Sequence, residues 1–178
     1  MKSFILFLFL AYTSTQVFAQ KVFQTKTGTI KFYSSTPLEN IEAINPQVNS
    51  KVTDGGQVVF ALLIRGFVFK NALMQEHFNE NYMESNVFPK AMFVGKIDNI
   101  ESINFSKDGV YPATVSGDLE IHGVKQHLSA KGTVQIAQGK PAVKTTFKLT
   151  ITDFGIKGKY IGEKIAKEVD VTVDCKYE

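Results

Sequence analysis

Apolar and polar residues alternate along most of this chain, and that alternation limits its fold more than any other feature. In residues 111–121, Val115 and Leu119 fall at odd positions and Asp118 at an even one. Because successive side chains of a β-strand point to opposite faces, such a segment is expected to be a strand with one dry and one wet face. About eight segments follow this pattern, and most are separated by turn sequences such as Asp54-Gly55-Gly56.

The strands predicted from this pattern begin with a hairpin over residues 22–33, in which Thr27-Gly28 is either the turn or a bulge. Pro46 is expected to separate two weaker strands, Ile41–Asn45 and Asn49–Thr53. The other predicted strands are Val58–Lys70, Ala91–Ile97, Ile100–Ser106, Tyr111–Ile121, Leu128–Ile136, Ala142–Phe154 and Val169–Tyr177.

A single dry face on so many strands predicts that the sheet closes on itself or pairs with a second sheet. An all-β antiparallel barrel of about eight strands satisfies this requirement, and it can hold a small ligand inside. Small residues at inward positions suit a tapering barrel: Ala91, Gly95, Gly117, Ala130 and Gly132. The sequence shows neither a linker nor a repeat, so one domain is predicted.

The most apolar predicted strand, Val58–Lys70, changes its pattern at Gly66. Phe60 lies at an even position before this glycine, whereas Phe67 and Phe69 lie at odd positions after it. Such a change of parity at a glycine indicates a β-bulge, which bends a strand and helps a barrel to close.

One segment, at about residues 72–85, has the spacing of an amphipathic helix. Met74, Phe78 and Tyr82 recur at four-residue steps and form its apolar stripe. Glu76, Glu80 and Glu84 follow the same steps and are interpreted as a solvated face. Pro89 bars any continuation of the helix.

The first residues are predicted to be a targeting segment rather than part of the fold. Lys2 precedes a short apolar run, and Val17-Phe18-Ala19 has small or apolar residues where a signal peptidase cleaves. We expect a signal peptide at residues 1–19 and a mature domain at residues 20–178, located in the periplasm or secreted. The apolar run is too short to span a bilayer, although an uncleaved anchor is the alternative.

Charge and cysteine content narrow the functional classes. The chain has 20 basic and 17 acidic residues and no basic block, so we predict no nucleic-acid partner. Its only cysteine, Cys175, excludes an intramolecular disulfide and falls on the same face as neighbouring valines. A buried, inert thiol is expected.

Two motifs give the chain a resemblance to a known family. The run Ala72–Ser85 with Phe88-Pro89 behind it, together with Gly117-Asp-Leu-Glu-Ile-His-Gly-Val124, resembles the YceI-like family over the whole mature chain. That resemblance implies an exported bacterial protein with a lipocalin-like antiparallel barrel. It also implies an apolar tunnel that binds a long amphiphile, an isoprenoid or a similar lipid.

Metal binding and catalysis are not predicted. His122 and His127 flank a turn and are expected to be exposed, because two histidines without a third ligand are a weak metal signal. His77 with Glu76 and Glu80 is likewise interpreted as an ordinary helix surface. The sequence lacks a G-x-S-x-G motif, a catalytic-type cysteine and a phosphate loop, so we predict neither an enzyme nor a cofactor.

The chain is rich in phenylalanine, with 15 Phe, 6 Tyr and no Trp. Each ring taken alone is more often core than ligand site. Together with the helix stripe they predict an apolar tunnel for an unfunctionalised chain. The predicted lining residues are Phe60, Phe67, Phe69, Met74, Phe78, Tyr82, Phe93, Leu119, Phe147 and Phe154.

Three functional hypotheses follow. The leading one is binding or transport of a long-chain hydrophobic lipid, isoprenoid-type or fatty, with its polar end near the helix or near Lys157 and Lys159. The second is a packed, ligand-free barrel that acts in stress response or protein contacts. The third is a hydrolase or isomerase. The sequence leaves open whether the chain forms a homodimer.

Overall fold

The computed structural model describes residues 20–178, which form an antiparallel β-barrel with one short helix. The predicted signal peptide, residues 1–19, lies outside the described residues. The nine strands are β1 Val22–Ser35, β2 Asn40–Thr53, β3 Gln57–Leu63, β4 Val68–Phe69, β5 Lys90–Ile97, β6 Gly109–Ile121, β7 Val124–Ala137, β8 Lys140–Thr150 and β9 Glu168–Lys176. The helix, α1, spans Ala72–His77.

Eight of these strands close the barrel. Their order is β1-β9-β8-β7-β6-β5-β3-β2, and β2 pairs with β1 to complete the circle. The short β4 adds to the edge of β2, where Phe69 pairs with Ala43 and Val68 with Ile44. The predicted all-β antiparallel barrel of about eight strands with one inserted helix is therefore confirmed.

Two hairpin turns follow directly from sequence. His122 and Gly123 have φ of 52° and 72°, and Gln138 and Gly139 have φ of 52° and 74°. Positive φ at both central residues defines a type I′ turn, whose twist matches that of the paired strands. The β6–β7 turn and the β7–β8 turn lie at opposite ends of the barrel, because β7 connects them.

We call these two ends the mouth end and the closed end. The mouth end holds α1, the β6–β7 turn and the loop between β8 and β9, whereas the closed end holds the β2–β3 and β7–β8 turns. The core has two parts that match them. One packs Ile64, Phe67 and Ile156 beneath the helix, and the other packs Phe23, Val134 and neighbouring residues at the closed end.

The prediction of a hairpin over residues 22–33 was wrong, and so was the separation of two strands at Pro46. β1 and β2 are single strands of 14 residues, and the irregularity at Thr27-Gly28 is a bulge. Pro46 and Gln47 lie opposite Thr29 in a second irregular stretch, so the proline sits where the β1–β2 ladder is already interrupted. A proline is tolerated in a strand at such a bulge.

The predicted bulge at Gly66 is instead a break in the strand. Residues Ile64–Gly66 form a 3-10 turn between β3 and β4. A side chain at Gly66 would lie 2.8 Å from Nδ2 of Asn45, which is fully buried and donates a hydrogen bond to the Leu63 carbonyl over 2.9 Å. The turn depends on this close approach of the backbone to a buried amide.

Three further boundaries differ from prediction. Residues 100–106 form no strand, because Ile100–Ser102 is a 3-10 turn. β8 ends at Thr150, and a 3-10 turn follows at Ile151–Phe154. The helix stops before residue 85, since α1 passes into a π-helical turn at Phe78–Tyr82. Asn71 caps its start, accepting hydrogen bonds from the amides of Leu73 and Met74.

Candidate ligand-binding cavity

The inward faces of the strands surround a cavity of about 600 Å³. Its wall consists mainly of aliphatic and aromatic side chains from all nine strands, α1 and the π-helical turn. Small-molecule sites in proteins typically have volumes of about 300–1,000 Å³. The cavity therefore has the size and the surface of a site for a hydrophobic molecule.

Nine of the ten predicted lining residues lie at this wall: Phe60, Phe67, Phe69, Met74, Phe78, Tyr82, Phe93, Leu119 and Phe147. Phe154 does not line the cavity and is buried in the core. It was included for its aromatic ring, although the alternation of β8 puts it on the face opposite Phe147, and the 3-10 turn after Thr150 ends that alternation. The wall also includes residues that were not predicted to line it, among them Phe32, Leu62 and Leu149.

Phe32 lies at the centre of an aromatic cluster that joins the helix to the barrel wall. The centroid of its ring is 5.4 Å from that of Phe67, 5.8 Å from that of Phe69 and 5.6 Å from that of Phe78. Phe78 also lies 5.0 Å from Phe69. Aromatic pairs at these separations attract one another beyond simple burial. The alternation of Ile30 and Phe32 along β1 was the sequence signal for this residue.

The closed end seals the bottom of the cavity. A side chain on Gly95 would lie 2.6 Å from the Cζ atom of Phe93, and one on Gly117 would lie 2.9 Å from it. These two glycines, on the adjacent strands β5 and β6, leave the space that the Phe93 ring occupies. Phe23 and Phe105 stack below with their ring centroids 5.5 Å apart.

Cys175 and Tyr177 lie within this sealed end. Burial raises the pKa of the Cys175 thiol to about 11, and burial also raises the pKa of the Tyr177 hydroxyl. The Ser50 hydroxyl lies 2.8 Å from that of Tyr177 and donates a hydrogen bond to the Val59 carbonyl over 3.0 Å. Because the one hydroxyl proton of Ser50 is used in the bond to Val59, the Tyr177 hydroxyl donates the hydrogen bond between the two side chains. The expectation that Cys175 is buried is confirmed.

Polar side chains gather at the mouth of the cavity. Glu39 from the β1–β2 turn, His77 from α1, and Tyr160 and Lys164 from the β8–β9 loop all contribute to the lining there. Lys164 Nζ lies 5.3 Å from the centre of the Tyr160 ring. The mouth thus offers two basic groups and one carboxylate at the entrance to an apolar interior.

The β8–β9 loop packs against the helical segment beside this mouth. Gly158 lies against Tyr82, since a side chain on the glycine would come within 2.2 Å of the Cε1 atom of Tyr82. Burial and the nearby Tyr160 together raise the pKa of the Tyr82 hydroxyl. Lys157 and Lys159 were expected near a ligand head group, but both are exposed and neither lines the cavity. Lys159 Nζ nevertheless lies 5.5 Å from the centre of the Tyr160 ring, and Tyr160 and Lys164 line the mouth.

His122 is not the exposed residue that was predicted. Its side chain is 11% exposed, its Nε2 lies 2.8 Å from a carboxylate oxygen of Glu84, and its ring lies 4.4 Å from that of Phe88. Glu84 therefore does not belong to a solvated helix face; it lies beyond the helix, with φ of 43°. Sequence reasoning missed this pair because it joins the β6–β7 turn to a segment 38 residues earlier.

His127 is exposed as predicted, with 68% of its side chain accessible, and its Nδ1 lies 3.6 Å from an Asp118 oxygen. The two histidines do not face each other, because His127 pairs across the ladder with Asp118. Within residues 20–178, no three histidine, cysteine, aspartate or glutamate side chains are grouped to hold a metal ion. Over the same residues, no helix is long and apolar enough to cross a membrane.

Comparison with known proteins gives one sequence match and several structural ones. The sequence profile of the YceI-like domain matches residues 11–177. None of the curated protein sequences is significantly similar to the chain.

Three solved structures share the fold. A polyisoprenoid binding domain from Saccharophagus degradans, implicated in plant cell wall breakdown, has 13% identity and a TM-score of 0.78 over 90% of this chain and 99% of its own. BcnA from Burkholderia cenocepacia has 14% identity and a TM-score of 0.63 over 83% of this chain and 94% of its own. A YceI protein from Campylobacter jejuni has 13% identity and a TM-score of 0.57 over 100% of this chain and 99% of its own.

Proposed function

Since the chain belongs to the YceI-like domain family, we propose that its barrel binds a long hydrophobic chain, of isoprenoid or fatty type, and carries or holds it without chemical change. The observation that carries this proposal is the cavity of about 600 Å³ with its apolar wall. The polyisoprenoid binding domain of the same fold supports the ligand class.

The volume sets the amount of ligand that the barrel encloses. If each non-hydrogen atom takes about 30 Å³, the share of one molecule in liquid water, a cavity of about 600 Å³ holds roughly 20 such atoms. Burial of each CH₂ group contributes about 0.8 kcal/mol before the costs of binding are subtracted. Hydrocarbon contact alone thus supplies enough free energy for tight binding.

Polar contacts are needed only at one end of such a ligand. We assign its polar end to the mouth, where His77 and Lys164 are basic and Glu39 is acidic. The side chains deeper in the wall are mainly hydrocarbon, which gives contact but neither an acid, a base nor a nucleophile. This contrast favours binding over catalysis.

The cavity also favours binding over a close-packed, ligand-free barrel. Protein interiors are normally packed as densely as organic crystals, with few voids larger than a water molecule. An apolar space of about 600 Å³ departs far from that condition. A ligand that fills it would restore the lost dispersion contacts.

Extraction of the purified protein with organic solvent, followed by mass spectrometry, tests the proposal. Protein from its native host should release a stoichiometric long-chain lipid. Ala130 lines the cavity on β7, so Ala130→Phe should leave the protein folded and free of lipid. Ala137→Phe, at an exposed position of the same strand, should retain it. A wild-type protein that yields no lipid and binds no fluorescent fatty or isoprenoid probe would refute the proposed function.

Export completes the proposal. We infer that residues 1–19 are removed and that the mature protein acts in the periplasm or outside the cell. Sequencing of the N-terminus of the protein from a periplasmic or culture fraction should begin at or close to Gln20. Recovery of a cytoplasmic protein with Met1 intact would contradict the inference.

A further inference from the structure

The barrel wall has an opening in its side between β7 and β8. These strands pair from Ala137 with Lys140 up to Gly132 with Thr145, and the ladder stops there. Both strands continue toward the mouth end, β7 to Val124 and β8 to Thr150. We call the space between residues 124–131 and residues 146–150 the side slot.

Each rim of the side slot is paired on its other edge only. Residues 124–131 pair with β6 up to the β6–β7 turn, and residues 146–150 pair with β9. At the lower end of the slot, the Thr145 hydroxyl donates to the Lys131 carbonyl over 2.7 Å, in place of a ladder bond. At its upper end, Gln126 Nε2 donates to the Asp153 carbonyl over 2.9 Å. A closed barrel normally leaves no such strand edges.

The lining of the cavity extends to the strands on both sides of this slot. Thr133 and Lys144, the last outward-facing pair of the ladder, are exposed and yet contribute to the cavity wall. Of the inward residues on the two rims, Leu128 and Phe147 are half-buried, whereas Ala130 and Leu149 are buried. Five residues of β8 form the rim, a length of roughly 16 Å along the strand. That length exceeds the width of a hydrocarbon chain several-fold.

The opposite end of the barrel offers no comparable exit among the described residues. Phe93, Val134 and Cys175 are at most 6% exposed and belong to the core that seals the closed end. Beyond the β2–β3 ladder the wall is filled by the buried Asn45 against Gly66, and beyond the β1–β9 ladder the Cys175 sulfur lies against Gly28. In the part of the wall that the structure describes, the side slot is thus the gap left for a chain that enters at the mouth to continue outward.

We propose that the side slot is a second portal of the binding site, through which the tail of a chain too long for the cavity leaves the barrel. This inference rests on the proposed function and extends it to the class of ligand. The barrel encloses roughly 20 non-hydrogen atoms next to the polar end of the ligand and sets no upper limit on the length of the chain. Ligands with more than twice that length then bind in the same register as short ones.

Cross-linking of the slot tests the proposal. Continued at the same register, the ladder would pair Ser129 with Lys148, both exposed. Ser129→Cys with Lys148→Cys, joined by a short bis-maleimide, closes the slot. Gln135→Cys with Ala142→Cys, an existing pair of the same ladder, is the matched control. Cys175 is 1% exposed and should escape labelling, which the mass of the adduct verifies.

The probes are geranylgeraniol, whose chain has about the length that the cavity holds, and solanesol, whose chain is more than twice as long. Delipidated protein is loaded from detergent micelles, and bound prenol is measured by mass spectrometry. Before cross-linking, both should bind at one per chain. Closing the slot should reduce bound solanesol by about tenfold and leave geranylgeraniol unchanged, whereas the control cross-link changes neither.

Three outcomes would contradict the proposal that the side slot is a second portal. Solanesol that remains bound after the slot is closed shows that the tail leaves elsewhere. Uptake of geranylgeraniol but never of solanesol shows a cavity without a second portal, and the proposed function stands. Uptake of neither prenol contradicts the portal and removes the isoprenoid class from the proposed function, which is then decided by the fatty probes.

A second measurement does not depend on the double variant. Ser129→Cys alone changes one exposed side chain at the rim. Its rate of maleimide labelling should fall about threefold when solanesol is bound and stay constant with geranylgeraniol, because only the longer tail passes the rim. Equal rates with the two prenols would contradict the proposal.

Discussion

At the scale of single residues, Cys175 and Tyr177 make the fold sensitive to alkaline pH. The pKa of Cys175 is raised to about 11 by burial, and that of Tyr177 is raised as well. When the pKa of a group is higher in the folded state than in the unfolded state, the folded state binds more protons at pH values between the two pKa values. The free energy of unfolding therefore keeps its full value below the pKa of the unfolded state. It falls as the pH rises from that pKa to the pKa of the folded state, by roughly 3 kcal/mol for Cys175.

Urea unfolding at a series of alkaline pH values measures this loss. Cys175→Ala should reduce stability at neutral pH, because it leaves a small cavity, but it should flatten the decline above the ordinary thiol pKa. Tyr177 remains in the variant and accounts for the residual slope. If the variant and the wild type declined in parallel, the thiol would not be the titrating group.

The two turn histidines should contribute very differently to stability. His122 is almost covered and bonds Glu84 over 2.8 Å, whereas His127 is mostly exposed. His122→Ala leaves that carboxylate without its partner and removes a ring packed on Phe88, so the free energy of unfolding should fall by about 1–3 kcal/mol. His127→Ala should cost under about 0.5 kcal/mol. Equal losses in chemical denaturation would show that the Glu84 contact carries no free energy.

At the scale of elements, the helical segment should behave as a wall of the barrel. Phe78 contacts three rings of the wall, and Glu80 on the same segment is exposed. Phe78→Ala should lower the free energy of unfolding by about 3 kcal/mol through lost contacts. Glu80→Ala should lower it by under about 0.5 kcal/mol. Similar losses in urea titrations of the two variants would contradict the amphipathic assignment.

Alternation was enough to predict the strands that are paired along their whole length. β5, β6 and β9 were placed within a few residues of their bounds, because each has a regular dry face and ends at a turn. Six of the nine lining residues at the cavity wall came from the strand pattern, since inward parity and wall position coincide in a closed barrel, and Met74, Phe78 and Tyr82 came from the four-residue spacing of the helix.

Alternation failed wherever a contact distant in sequence decides the local structure. The buried amide of Asn45 fixes the break at Gly66, and the Asp118 and Glu84 partners separate His127 from His122. Phe154 was assigned to the wall for its ring alone, but it lies in a 3-10 turn beyond β8 and is buried in the core. None of these contacts has a local signature in the sequence, so they could only be found from the folded structure.

At the scale of the whole molecule, the barrel divides its tasks between its two ends. The closed end is filled by large and tightly packed side chains, whereas the cavity interrupts the core beneath the helix. The closed end thus supplies a packed base from which the strands extend around the cavity. Contacts between ligand and wall would then replace the packing that the mouth end lacks.

Stability should therefore depend on bound lipid. A ligand that binds only the folded state adds about 2.7 kcal/mol at a free concentration of 100 times its Kd, which for a domain of this size corresponds to a rise in Tm of roughly 5–10 °C. Delipidated wild-type protein should melt lower than the loaded protein by this amount and recover on addition of geranylgeraniol. Ala130→Phe fills the cavity with a side chain, so its Tm should be the same with and without the prenol. A wild-type Tm that does not respond to a prenol shown to be bound would mean that the ligand occupies a surface site and leaves the barrel interior empty.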